Sequence, residues 1–330
     1  RDFSESEFIA SKSRMVIMVL IKYFRIMKSI FSMIKNIYIS LLLIVTAIFI
    51  GCSDDDGEKI PYKGATTQLM QGIVDNVSYI QQIQKEEIIK ISDGVSVIDV
   101  SFVYCTKPTR MLIAEIDLNK NVTIVTSTPD NKDEVGKVTQ TIRQQAMKAE
   151  ESGKDVLLAI NGHSAGICYK DGKELKGTFG RDSEQVFYML DDGSLHITTV
   201  PEFNLVKESV VNAVSGNYPL IIDGEVCQFT VNANTMGFRP HTFVGVSKDH
   251  KKAYFFVVDG EQEKYSNGMR LEDIMLVCQG AGCYQAINLE GDASSTMVRK
   301  VGENDFQLMN QPSEGKEKDV ANGLQVIVKQ

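Results

Sequence analysis

The chain has 330 residues, of which 43% are hydrophobic and 24% are charged. This composition indicates a globular protein and excludes a disordered or collagen-like chain. Acidic residues outnumber basic ones by 43 to 35, which argues against a nucleic-acid-binding protein, because such proteins normally carry a basic surplus or patch. The sequence contains no Trp, so stacking against a sugar ring would have to use Tyr or Phe.

The N-terminal region contains an uncharged apolar run from Ile37 to Gly51, with Lys35 just before it. A membrane-spanning helix needs about 20 apolar residues, whereas this run has the length of a signal-peptide hydrophobic region. Met33 gives a normal start for such a signal. We therefore expect residues 1–51 to be a signal peptide together with extra upstream residues.

The apolar run ends in a small residue followed by Cys52, which resembles the cleavage site of a bacterial lipoprotein. We expect Cys52 to be lipidated and residues 52–65 to form a lipid-anchored linker. The acidic segment after Cys52 resembles a surface-export signal, which predicts an outer-membrane lipoprotein exposed at the cell surface. A structural N-terminal helix or a plain signal anchor is the alternative.

Residues 66–330 are predicted to form one domain. Apolar residues at helical spacing predict a helix within 66–90, followed by helices at 138–151 and 271–279. Short runs rich in Val and Ile predict strands. These strands lie at 95–104, 111–118, 122–127, 156–160, 186–190, 195–200, 220–222, 242–247, 253–258, 284–289 and 324–329. Hairpins in the second half indicate antiparallel pairing, so the predicted fold class is α+β, a single domain with a mixed, largely antiparallel β-sheet flanked by helices.

The segment 288–297 is the most unusual part of the sequence. A predicted strand ends there in two carboxylates, Glu290 and Asp292, and three hydroxyl side chains follow at 294–296. Ser294 and Ser295 could cap a helix whose free N–H groups bind an anion such as phosphate. An ordinary strand-to-helix turn is the alternative.

Three other polar loops also lie next to apolar strands, at 161–166, 215–224 and 258–268. Any one of them is a common turn. Four such loops together predict a site assembled at one edge of a sheet.

The order of these motifs resembles that of the phosphodiester glycosidase family. The family landmarks are approximately N-G-G, S-G-x-P-L-x-x-x-G, P-R-T-x-x-G, V-D-G, S-x-G-x-x-L and N-L-D-G-G-G-S-S-T-M. Here they correspond to 161–163, 215–224, 240–245, 258–260, 266–271 and 288–297, and the segment 215–224 is one residue longer than its landmark. The last motif is the most specific, and the resemblance covers roughly residues 155–300.

The chain departs from the family pattern at several candidate site positions. The family Asp is Glu290 here, and two family glycines are replaced by Asp292 and Ala293. His241 stands at the family Arg position, and His163 at the third position of N-G-G. These changes imply a substrate that can differ from those of other members.

The resemblance implies a hydrolase that cleaves the sugar C1–O bond of sugar-1-phosphodiesters in glycans or envelope polymers. The leaving group is a phosphate monoester, so a carboxylate and donors for the phosphate are needed more than a strong general acid. Glu290 is the first candidate for the carboxylate, and Asp292 or Asp259 is the second. Arg239 and His241 are candidate phosphate ligands, and His241 is also a candidate proton donor near neutral pH.

The remaining candidate substrate-binding residues share the same loops. They are Asn161, Gly162, His163, Asn217, Gly260, Gly268, Asn288, Gly291, Ser294, Ser295 and Thr296.

Two alternatives stay open beside this hypothesis. The first keeps the fold and replaces catalysis with binding of a surface glycan or phosphoglycan. In the second, Glu290, Asp292 and Asp259 hold Ca²⁺ or Mg²⁺, since hard cations favour oxygen ligands. Otherwise we expect no cofactor, no metal and no nucleic-acid partner; the expected partners are the phosphoglycan substrate and, through the lipid, a membrane.

Overall fold

A computed structural model describes residues 64–177, 185–228 and 236–329. The predicted signal peptide, Cys52 and most of the linker lie outside the described residues. Four helices are described: α1 (Gln68–Asn76), α2 (Ile142–Glu151), α3 (Val200–Val206) and α4 (Leu271–Gly280). Short 3-10 turns lie at Pro129–Asn131, Lys207–Ser209 and Asp292–Ser294. None of the helices in this part of the chain is long and apolar enough to cross a membrane.

The described residues form eighteen strands. They are β1 (Ile80–Ser92), β2 (Val95–Tyr104), β3 (Lys107–Asp117), β4 (Val122–Ser127), β5 (Val156–Asn161), β6 (Cys168–Lys170), β7 (Lys173–Lys176), β8 (Gln185–Leu190), β9 (Leu195–Thr199), β10 (Val210–Gly216), β11 (Tyr218–Ile222), β12 (Glu225–Val226), β13 (His241–Val246), β14 (Lys252–Val258), β15 (Gln285–Asn288), β16 (Met297–Gly302), β17 (Asp305–Leu308) and β18 (Gly323–Val328).

The strands form three sheets. The largest has eight strands in the order β1-β2-β3-β14-β13-β15-β11-β12. The other two have five strands each, in the orders β7-β6-β10-β8-β9 and β17-β16-β5-β18-β4. Every pairing within these described strands is antiparallel. The predicted α+β class is confirmed, with no parallel pair among the described strands.

Two buried clusters cover the faces of the eight-stranded sheet. One face packs against α1 and α4, and this cluster includes Ile73, Phe243 and Ile274. The opposite face packs against the two smaller sheets, with residues such as Phe255 and Leu324 in the shared core. The central strands β13 and β14 of the large sheet are therefore buried on both sides, which fits their nearly continuous apolar runs.

The predicted helix over 66–90 is wrong beyond residue 76. Thr67 caps α1, and the chain then continues as β1, which pairs along its length with β2. The Glu86 carboxylate on β1 accepts hydrogen bonds from the Thr67 backbone N–H at 3.0 Å and from the Thr67 hydroxyl at 2.6 Å. Strand β1 thus holds the start of the helix. The buried residues Ile80 and Ile83 fit a helical spacing equally well, so apolar spacing alone did not separate the two structures.

Helices α1 and α4 approach each other through two glycines. A Cβ atom added to Gly72 would collide with the carbonyl oxygen of Gly280, and one added to Gly280 would collide with that of Gly72. The close approach lets the two helices share one layer on the sheet.

Replacing Gly72 with Ala should therefore destabilise the protein. The higher helix propensity of Ala would by itself raise the free energy of unfolding by about 1 kcal/mol. Forced separation of the two packed backbones outweighs this gain, so we expect a net loss of about 1–3 kcal/mol. Urea unfolding measures the difference. Gly302→Ala is the control, because a Cβ there would meet only the Asp305 side chain at an ordinary 3.6 Å. A Gly72→Ala variant more stable than the parent would contradict the helix contact.

Candidate functional site

The polar loops predicted to form a site do meet at strand ends. Asn288 at the end of β15 pairs with Phe243 on β13 and with Tyr218 on β11. His241 at the start of β13 pairs with Val258 at the end of β14. The end of β5, in a neighbouring sheet, joins them through the side chain of its last residue, Asn161.

Asn161 is fully buried, and its amide uses all of its hydrogen-bonding capacity within the protein. Its nitrogen donates to the Glu290 carbonyl at 2.7 Å and to the Gly162 carbonyl at 3.2 Å. Its oxygen accepts from the Thr242 hydroxyl at 2.7 Å and from the Thr296 backbone N–H at 3.0 Å. Asn161 was expected to bind substrate; the geometry instead makes it a residue that positions the 290–296 loop.

Glu290 is half-buried and is held by two donors. One carboxylate oxygen accepts from the Ser164 backbone N–H at 3.1 Å. The other is 3.4 Å from the Ser294 hydroxyl, which donates to it. The backbone of His163 in the same loop is fixed by Asn322, whose side-chain oxygen accepts its N–H at 3.0 Å. The carboxylate is therefore preorganised between two loops.

A pocket of about 270 Å³ lies against the 288–292 part of the same loop, and Glu290 is not among the described residues that line it. Several predicted site residues line it together with Tyr218, Pro240 and Leu271; they are Asn217, Arg239, His241, Asn288, Gly291 and Asp292. Its volume is close to the lower limit for small-molecule sites. Glu290 precedes the pocket-lining Gly291 in the chain.

Arg239 and Asp292 form an ion pair within this pocket. The guanidinium lies 3.2 Å from the Asp292 carboxylate and 3.9 Å from that of Glu261. Both partners of the pair are substantially exposed, Arg239 at 43% and Asp292 at 58% of the side chain. An exposed ion pair of this kind contributes at most about 1 kcal/mol, so an incoming anion can displace Asp292 from Arg239.

His241 differs from its predicted role as a proton donor near neutral pH. The imidazole is buried, and this burial lowers the pKa of His241 to about 4. The neutral ring donates its Nε2–H to the Met269 carbonyl at 3.0 Å. The same carbonyl accepts the Arg239 backbone N–H at 3.1 Å, so His241 helps to fix the segment that carries Arg239.

Asp259 is buried and already saturated with hydrogen bonds, which does not suit the second catalytic carboxylate expected from the sequence. Its oxygens accept from Asn310 at 3.0 Å, the Gln311 backbone N–H at 3.0 Å and the Tyr265 hydroxyl at 3.0 Å. The Arg110 guanidinium lies 3.2 Å away. Burial raises the pKa of Asp259, while these donors oppose the rise by stabilising the carboxylate.

Arg110 was not identified from the sequence. Its guanidinium also contacts the buried Asp99 carboxylate at 2.8 Å, and it donates to the Met309 carbonyl at 2.9 Å. Arg110 lies on β3, about 150 residues before Asp259 in the chain, in a run that reads as an ordinary strand. Only the strand order places the two residues together.

Three of the predicted site glycines allow close backbone approach. A Cβ at Gly260 would lie 2.6 Å from the Pro240 nitrogen, and one at Gly291 would lie 2.7 Å from the Pro240 carbonyl oxygen. Gly268 has a φ of +93° and packs against the Arg239 backbone. These glycines enclose the segment that carries Arg239 and serve its packing.

The predicted helix cap at Ser294 and Ser295 is wrong. A single 3-10 turn, Asp292–Ser294, leads directly into strand β16, so no helix N-terminus faces an anion there. Residues Ser294, Ser295 and Thr296 are each 1% exposed. Hydroxyls buried in this way line the loop interior instead of the pocket.

The alternative of a Ca²⁺ or Mg²⁺ site is not supported by the positions of its three carboxylates. Asp259 faces Arg110, Asp292 faces Arg239, and Glu290 faces Ser164. Across the described ranges, no group of three or more His, Cys, Asp or Glu side chains is placed to hold a metal ion.

The buried, neutral His241 predicts a loss of stability at acid pH. Its folded pKa of about 4 lies below the ordinary value of 6.5, so the unfolded chain binds the proton more readily. The stabilisation is full above pH 6.5 and falls by about 3 kcal/mol as pH drops to 4.

A His241→Gln variant keeps a donor for Met269 and removes this titration. Urea unfolding of parent and variant at pH 7 gives the pH-independent cost of the substitution. Relative to the variant, the parent protein should lose about 3 kcal/mol of unfolding free energy between pH 7 and pH 4. Parallel pH profiles for the two proteins would show that His241 titrates normally in the folded state.

Residues 122–327 match the model of the phosphodiester glycosidase family. No curated protein sequence matches the chain.

Several solved structures are similar in fold, among them the following two. The catalytic domain of zebrafish N-acetylglucosamine-1-phosphodiester alpha-N-acetylglucosaminidase, auto-inhibited by its pro-peptide, has a TM-score of 0.53 at 17% identity, covering 84% of this chain and 99% of that one. A hypothetical protein from Synechocystis has a TM-score of 0.53 at 12% identity, covering 74% of this chain. This chain spans 64% of the length of the Synechocystis protein. Because the family match extends over more than half of its residues, the chain belongs to the phosphodiester glycosidase family.

Proposed function

We propose that the protein hydrolyses sugar-1-phosphodiesters in the pocket beside Arg239. The observation that carries this proposal is the exposed Arg239 guanidinium in a pocket of about 270 Å³ bordered by the family motif 288–297. A guanidinium binds two phosphate oxygens at once, which gives both charge compensation and orientation.

The reaction adds water across the sugar C1–O bond. The bonding electrons of C1–O pass to the phosphate oxygen, so the products are a free sugar and a phosphate monoester. Arg239 holds the phosphate and stabilises the charge that develops on it. Glu290 provides the carboxylate for the electron-poor C1 centre, where the family motif has Asp, and its two hydrogen bonds hold it in one orientation.

Asp292 has a different role in this proposal. In the protein without ligand, the Asp292 carboxylate is paired with the Arg239 guanidinium. The family motif has Gly at position 292, and the φ of +53° at Asp292 is a conformation that Gly adopts most easily. Asp292 therefore competes with the substrate phosphate for the guanidinium.

The pair Glu290→Gln and Asp292→Gly separates these two roles. We expect Glu290→Gln to lower kcat by roughly 10²–10⁴-fold, as for loss of a catalytic acid–base group. Asp292→Gly should retain turnover and lower KM by about two- to fivefold, because an exposed ion pair no longer competes. Phosphorus NMR on a panel of sugar-1-phosphodiesters follows conversion of diester to monoester.

Glu261→Gln is the matched control, since Glu261 is also an acid beside Arg239 but at 3.9 Å. Its KM should change less than that of Asp292→Gly. Full activity in Glu290→Gln would remove Glu290 from the chemistry. A folded parent protein that converts no diester but binds sugar phosphates would favour the glycan-binding alternative.

The lipid anchor on Cys52 and the location at the outer-membrane surface remain part of the proposal. They rest on the sequence before residue 64, which lies outside the described residues. The substrate of an anchored, surface-exposed hydrolase would be a phosphoglycan or another phosphodiester-linked envelope polymer.

A further inference from the structure

The pocket beside Arg239 has one aromatic wall. Tyr218 is the only aromatic side chain among the described residues that line it, and it is 37% exposed. A large aromatic side chain that is partly exposed at a pocket is a recognised mark of a binding surface. Because the sequence has no Trp, Tyr is the largest flat side chain that the protein can place at a pocket.

The position of the Tyr218 backbone is fixed by the fold. Tyr218 begins β11 and pairs with Asn288 on β15. Leu220 and Ile221, two and three residues later on the same strand, are fully buried in the core. The aromatic ring is therefore carried by a rigid strand instead of a loop.

The walls of the pocket differ in polarity. Tyr218 and the mostly buried Leu271 supply apolar surface, whereas Arg239 and Asp292 supply charges. A sugar 1-phosphate has a matching division. Its ring presents a face of C–H bonds that packs on an aromatic ring, and its phosphate is the anion that a guanidinium binds.

We infer that Tyr218 is a stacking platform for the pyranose ring of the substrate, a subsite distinct from the phosphate contact at Arg239. This inference rests on the proposed function for the identity of its ligand, and it concerns binding, which is measured without turnover. In this arrangement the sugar ring lies against Tyr218 on β11, and the phosphate lies at the 239–241 segment.

The test compares sugar phosphates with inorganic phosphate in three variants. Tyr218→Leu keeps an apolar side chain and removes the ring, and Tyr218→Phe keeps the ring and removes the hydroxyl. Ile222→Ala is the control, because Ile222 is 43% exposed on the same strand and does not line the pocket. Titration calorimetry measures the Kd of hexose and N-acetylhexosamine 1-phosphates and of inorganic phosphate.

We expect Tyr218→Leu to weaken the tightest sugar 1-phosphate by about two- to tenfold, the range measured for aromatic contacts beyond simple burial. Its Kd for inorganic phosphate should equal that of the parent protein, as should both Kd values in Tyr218→Phe and Ile222→Ala. A parent protein that binds no sugar 1-phosphate more tightly than inorganic phosphate would overturn the inference. So would a Tyr218→Leu variant with unchanged sugar affinity, or one that loses both ligands equally.

These outcomes are separable from those of the proposed function. If the parent protein hydrolyses no diester but shows the Tyr218→Leu pattern in binding, the stacking platform stands and the hydrolase proposal fails. If the parent hydrolyses diesters and Tyr218→Leu binds sugar phosphates normally, the hydrolase proposal stands and the platform fails.

Discussion

The buried amide of Asn161 is the constraint on which the candidate site depends. It links the end of β5 to Thr242 on β13 and to both ends of the loop that begins at Glu290 and finishes at Thr296. Leaving any of these buried groups unpaired would cost about 1–3 kcal/mol each, so the four bonds form together. The loop that carries Glu290 is therefore held in place by a fully buried residue, Asn161.

A second buried network supports the segment that carries Arg239 and Pro240. Asp259 and Arg110 form an ion pair that is hydrogen-bonded on all sides, and this fixes the start of the loop whose Gly260 packs against Pro240. A buried pair of this type is costly to break because the remaining charge would be unpaired. Among the described residues, the charged side chains that line the pocket are Arg239 and Asp292. Asp259 and Arg110 support the site, whereas Arg239 and Asp292 are available to a ligand.

The sequence predicted the parts of this structure that local patterns determine. Runs of Val and Ile located most core strands, and the order of polar loops placed the site at strand ends. It failed where a contact joins distant segments: β1 was read as helix because Ile80 and Ile83 suit either structure, and Arg110 gave no local signal. Asn161 and Asp259 illustrate the same point: a polar residue in a motif can bind the ligand or support the loop, and the sequence alone does not show that both residues are buried and hydrogen-bonded within the protein.

The most direct test of this account is a crystal structure of the protein with a bound sugar 1-phosphate. The account predicts the phosphate on the Arg239 guanidinium, with the Asp292 carboxylate displaced, and the sugar ring against Tyr218 with C1 turned toward Glu290. It also predicts that Asn161 and Asp259 keep their present hydrogen bonds and do not contact the ligand. A phosphate bound away from Arg239, or a ligand in direct contact with Asp259, would contradict it.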